Sequence, residues 1–197
     1  MTMPVDQPFN HRHAGLARRN GFLPPSIPVV PVAEDATPLS TIPVLTDFRG
    51  EQVPGGTRRI ALGTTETGWR IRAEIADSAT VVDPALEPGH PRFWMQDHIE
   101  FRLLPDPTRD LDQVQVILAA SGKVLVSGPG TSTAGVECSV DLRADGWRLD
   151  ATVPFSATGM GRPQPGDVVR GLVAHSRWGN GWLEPATCTA CQLGFAQ

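Results

Sequence analysis

Residues 92–106, RFWMQDHIEFRLLPD, gather two aromatic rings, a Met, a His and the carboxylates Asp97 and Glu100 around one strand and its lead-in. From Asp97 onward the types alternate. Ile99, Phe101 and Leu103 fall to one side, and His98, Glu100 and Arg102 to the other, which is the period of a strand with one apolar and one charged face. A row of His, Glu and Arg is either a solvated outer surface or the floor of a polar binding site. Asp97, His98, Glu100 and His175 are the candidate catalytic residues. An imidazole and a carboxylate in a water-poor pocket can donate and accept a proton without a cofactor. Asp97 also fits a turn residue accepting backbone N–H groups, and a lone His such as His175 fits a structural role.

These residues need a scaffold, and the rest of the chain supplies one pattern repeatedly. In residues 68–77 Trp69, Ile71, Ala73 and Ile75 oppose Arg70, Arg72 and Glu74. In 146–153 Trp147, Leu149, Ala151 and Val153 oppose Arg148, Asp150 and Thr152. Residues 113–118 and 136–142, together with TRRIALG, KVLVS and DVVRGLVAH, follow the same rule, giving about eight to ten strands at hairpin spacing. Strands with one polar face, closely joined, predict an all-β fold: an antiparallel two-sheet β-sandwich. Trp69 and Trp147 share their phase with apolar neighbours and are expected in the core. Trp94 precedes its strand and either caps the core edge or lines a site. Trp178 and Trp182 flank Asn180 in RWGNGW, read as a Gly-rich loop where large rings line a site.

Residues 1–40 differ from the rest. HRHAGLARRN is followed by Pro24, Pro25, Pro28, Pro31 and Pro38, which favour extended polyproline-like backbone over helix or central strand. The expectation is a Pro-rich extended N-terminal arm, 1–40, ahead of a ligand-binding domain, 41–197. Residues 22–33 should drape over that domain without ladder pairing, or reach a second copy and make a homodimer.

The chain has 197 residues, 40% hydrophobic and 19% charged, with a net charge of −4. That suits one domain with a real core. The 17 Lys and Arg residues are scattered, so no nucleic-acid surface is expected. No stretch approaches membrane-spanning length and no apolar run follows the N-terminal charges, so a soluble, cytoplasmic protein is expected. Three cysteines, Cys138, Cys188 and Cys191, argue against a disulfide framework, and the lone CTAC is weak evidence for zinc. No metal site is expected.

The order of motifs resembles the family-nine carbohydrate-binding modules and their relatives with the DOMON-type sandwich, over roughly residues 42–195. The resemblance is carried by an alternating strand ending at Asp77, then FWMQDHIEFRLLPDP, VQVILAASGKV, GWRLDATVPFSATG, RPQPGDVVRGLVAHSRWGNGWLEPA and a closing LGF. Trp94, Asp97 and Glu100 resemble that family's Trp-x-x-Asp-x-x-Glu strand. Asp150 stands where a Glu is common. The resemblance implies a sugar held between two Trp rings and hydrogen-bonded by charged and amide side chains. Trp94 and Glu100 would then be clamp and acceptor, Trp182 with Asn180 the second wall, and Arg102 and Trp178 further ligand contacts. Where the family carries a sugar-binding Arg after Glu100, this chain offers Lys123, and it has no Tyr.

Three readings follow. The first is a small-molecule binder for a sugar or other hydroxylated compound. The second is a stand-alone, cofactor-free cyclase, isomerase or lyase acting on a small biosynthetic intermediate through the same site. The third is a b-type haem protein, for which Met95 with His175 is the one defensible axial pair; its absence, and a colourless protein, are expected. Glu100→Gln is expected to leave the melting temperature nearly unchanged.

Overall fold

The structure, a computed structural model, describes residues 29–34, 40–41, 58–77, 79–104, 113–164, 167–179 and 182–195. Side chains before residue 58 and after residue 176 lie outside the described set. The described elements are eleven strands and one 3-10 turn. The strands are β1 (Val29–Glu34), β2 (Ser40–Thr41), β3 (Arg58–Thr64), β4 (Gly68–Ile75), β5 (His98–Leu104) and β6 (Val114–Ala119). They continue with β7 (Val124–Ser127), β8 (Glu137–Arg143), β9 (Gly146–Pro154), β10 (Val168–Gly179) and β11 (Trp182–Phe195).

Two antiparallel sheets face each other: β7-β6-β5-β10-β11, and β3-β4-β9-β8 with β2 beside β3. This is the β-sandwich that the alternation requires. Ile60, Leu62, Trp69, Ile71, Ile75, Trp147, Leu149 and Val153 of one sheet meet Ile99, Phe101, Leu103, Val114, Val116, Leu118 and Val173 of the other in one buried core. Trp69 lies edge-on to Phe101 at 5.4 Å and to Phe155 at 5.5 Å, as aromatic quadrupoles prefer. Both core tryptophans follow a glycine, and the reason is backbone approach. A Cβ at Gly68 would lie 2.4 Å from the Val153 carbonyl oxygen, and one at Gly146 (φ 150°) 1.9 Å from that of Ile75.

Three features correct the sequence reading. Part of the arm is a strand: β1 pairs in parallel with β11 from Val29 to Val32 and with β3 at Ala33 and Glu34, joining the two sheets. Val29, Val30 and Val32 suit a pleated ladder, and β3 pairs only from Ala33, so Pro31 can turn its missing donor to an unpaired side. Residues 1–28 lie outside the described residues. Second, the C-terminal segment is strand β11, with Cys188 opposite Ala174 and Cys191 opposite Gly171. Third, RWGNGW is no broad loop. Trp178 pairs with Leu183 and Gly179 with Trp182, leaving two residues, Asn-Gly, between the strands, the dipeptide that favours tight hairpins.

Candidate functional site

The outer faces of the two sheets carry similar residue types in very different surroundings. On the β3-β4-β9-β8 sheet the polar phase is solvated. Arg70 and Arg72 bond Asp150 at 3.2 and 2.7 Å, and Arg148 pairs with Glu74, with half or nearly half of those last two side chains exposed. Burial pushes the Asp150 carboxyl up, but hydrogen bonds and charge from the two arginines outweigh it and hold it below the usual range.

On the other sheet the polar phase is covered. His98 is 1% exposed, Glu100 1% and Arg102 3%, while Gln115, Ala174 and Ser176 are buried beside them. Register explains the grouping, since directly paired antiparallel residues share a face. His98 lies between Ala119 and Ser176, Glu100 between Ile117 and Ala174, and Arg102 between Gln115 and Leu172. Ser127 of β7 extends the row beyond Gln115.

The row is internally bonded but not satisfied. Glu100 Oε1 accepts from Arg102 Nε and from Gln115 Nε2, the latter at 2.5 Å. Arg102 Nη1 donates to Gln113 Oε1 at 3.4 Å, and Ser127 Oγ to Gln115 Oε1 at 3.4 Å. Arg102 Nη2 and Ser176 Oγ, both buried, have no hydrogen-bond partner. Buried donors are nearly always paired in folded proteins, and these two lie in the same row. His98 Nδ1 donates to the Gln96 carbonyl at 2.7 Å, leaving Nε2 as the acceptor nitrogen. Burial pushes the His98 imidazolium down, more than the Glu100 charge and the Gln96 carbonyl raise it, so the ring is neutral at pH 7.

The remaining candidates divide. Trp94, half-buried, packs with Leu86 and Leu125 on the cluster Phe93, Ile117 and Ala119, alongside the row. Asp97 is fully buried where β5 begins. Its N–H donates to Val81 O at 2.9 Å and its carbonyl accepts from Ala120 N at 2.8 Å. Lys123 does not face the row; its ammonium donates to Pro84 O at 2.6 Å and Glu87 Oε1 at 2.5 Å, tying down residues 79–97.

His175 is not clustered with His98 and Glu100. Paired with Ile99, it takes the apolar phase and points between the sheets, where Arg58 Nε donates to its Nδ1 at 3.1 Å and Trp147 lies edge-on at 5.8 Å. The side chains of Trp178 and Trp182, and all of Asn180, lie outside the described residues. Sequence reasoning missed Gln115 and Ser176. Each sits in the phase opposite its strand's apolar residues, and the cross-strand register that joins them to Arg102 and His98 is not written in either segment alone. Among the described residues no group of three or more His, Cys, Asp or Glu is placed to hold a metal ion.

No protein-family model and no curated protein matches the sequence. Solved structures do match. A family-nine carbohydrate-binding module from Caldicellulosiruptor kristjanssonii, solved with glucose, superposes with a TM-score of 0.52 at 14% identity, over 84% of this chain and 94% of that one. The fold is that of the family-nine carbohydrate-binding modules. A Bacteroides uniformis protein described as a candidate carbohydrate-binding protein superposes with a TM-score of 0.58 at 13% identity, over 85% of this chain and 91% of that one. On this carbohydrate-binding-module fold, the Trp94, Asp97 and Glu100 motif occupies the lead-in and first residues of β5, and the Gly-Trp pair opens β9.

Proposed function

We propose that this protein binds a small hydroxylated compound of the sugar class on the covered polar row of β5, β6 and β10. The observation that carries the reading is the pair of buried groups without a hydrogen-bond partner in the chain, Arg102 Nη2 and Ser176 Oγ, in one row with the neutral His98. A hydroxyl both donates and accepts, so it can bond a guanidinium N–H, a serine hydroxyl and a neutral imidazole nitrogen in turn. Trp94, beside the row, supplies an aromatic face for the apolar side of a pyranose. The glucose held by the Caldicellulosiruptor module supports the same ligand class.

Binding is favoured over proton transfer by the state of Glu100. Its Oε1 is committed to hydrogen bonds from Arg102 and Gln115, which hold it in place as part of the row rather than presenting it to a reacting atom. The test is calorimetric titration with a panel of monosaccharides and disaccharides. Ser176→Ala should weaken the best ligand by about 1–3 kcal/mol, or about 5- to 150-fold in Kd. A parent protein that binds none of the panel, or a Ser176→Ala protein that binds as the parent does, refutes the proposal.

A further inference from the structure

We infer that residues 79–97 form a strap that opens to admit ligand, and that the ligand is a detached molecule of monosaccharide or disaccharide size rather than the surface of a polymer. This rests on the polar row being the binding site. His98, Glu100, Arg102, Ala174 and Ser176 are each 3% exposed or less. A polymer chain end lying across an open sheet face needs that face displayed, whereas this row is reached only by moving what covers it.

Among the described residues, the strap is the segment whose construction permits such movement. It carries no strand ladder, and its backbone bonds are mostly local turns. Leu86 N donates to Asp83 O, His90 N to Glu87 O, Phe93 N to His90 O and Met95 N to Arg92 O, all between 2.8 and 3.2 Å. Its described holds on the sandwich before Asp97 are side-chain contacts: Val82 on the main core, Leu86 and Trp94 beside Phe93, and the two that follow. Phe93, almost fully buried, presses on Ile117 and Ala119, the cross-strand partners of Glu100 and His98. Lys123, from the β6–β7 turn, clasps Pro84 O and Glu87, whose carboxylate is 72% exposed. A small apolar patch centred on Phe93 and a half-solvated ion pair at the rim, with no strand ladder, hold this unit less firmly than the strands it lies on, the kind of segment from which lids are drawn. Withdrawal of Phe93 uncovers the β6 flank of the row.

Hydrogen exchange followed by mass spectrometry tests the strap without any ligand. In Lys123→Met, peptides covering residues 84–95 should exchange about two- to fivefold faster, the range set by losing a solvent-screened ion pair, with residues 99–103 unchanged. Phe93→Leu should give the same pattern, and equal acceleration in strap and β5 in both variants would overturn the strap. The ligand size is read with D-glucose and cellobiose as soluble probes and microcrystalline cellulose as the polymer. The expected result is that a soluble probe slows exchange at residues 84–95 while cellulose neither retains the protein nor slows it. Retention on cellulose with strap exchange unchanged overturns the enclosure. If no soluble probe binds, the proposed function and the ligand-size inference both fall, while the exchange pattern of the free variants decides the strap alone.

Discussion

Glu100→Gln separates a buried ion pair from a surface one. Glu100 and Arg102 are 1% and 4% exposed at their side chains, and the carboxylate oxygen that binds Arg102 Nε also binds Gln115. Removing one partner of a buried pair strands the other charge, which costs about 3–5 kcal/mol. Glutamine keeps an acceptor oxygen, so the lower end, about 3 kcal/mol, applies. For a chain of this length each kcal/mol lowers Tm by about 2–4 °C, giving a fall of about 6–12 °C. The sequence alone implies little change in melting temperature, whereas burial of the pair implies this fall. Urea unfolding of the parent, Glu100→Gln, Arg102→Met and the double variant forms the assay. The double variant should lose less than the sum of the singles by about 1–3 kcal/mol, because neither charge is left alone. A Glu100→Gln cost under about 1 kcal/mol, or strict additivity, would refute the claim that the pair is buried and coupled.

Three further outcomes follow from the same geometry. His98 has its pKa lowered by burial, so the unfolded chain takes up this proton first: stability should fall as pH drops below about 6.5 and level off below the folded pKa, and His98→Gln should flatten that slope in acid-titrated denaturation. Gly146→Ala should cost more than about 2 kcal/mol by thermal unfolding, since its Cβ would meet the Ile75 carbonyl oxygen at 1.9 Å, while Gly122→Ala, with nothing near it, should cost less. The Cys138 thiol is pushed up to about 11 by burial and by Asp150, so peptide-mapped iodoacetamide labelling at pH 8 should modify Cys138 slowly in the native protein and rapidly in urea.

The sequence by itself determined the sandwich. Alternation in 68–77, 97–104, 113–118 and 146–153 dictates which side of each strand is apolar, and the observed strands β4, β5, β6 and β9 fall within a residue or two of those bounds. Two facing apolar sheets are the shortest way to bury them, so Trp69, Trp147, Ile99 and Phe101 had to meet. The motif order around Trp94, Gly146 and PQPGD likewise points to the carbohydrate-binding-module fold. β1 and β11 were hidden, because Pro31 and the cysteine-bearing CTAC mask strand periodicity that only pairing partners reveal.

What alternation could not decide is which polar face meets water. His98-Glu100-Arg102 and Arg70-Arg72-Glu74 read alike in sequence, yet the first row is sealed and the second is solvated. Residues 79–97 pack Phe93 onto Ile117 and Ala119 of β6, beside that row, and a local period carries no information about such a distant neighbour. Tertiary structure also parted His175 from His98, since a residue opposite Ile99 must share its inward phase. In the same way it brought Gln115 and Ser176 beside Arg102 and His98, because register between strands is set by the whole sheet and its turns rather than by any one strand's own residues.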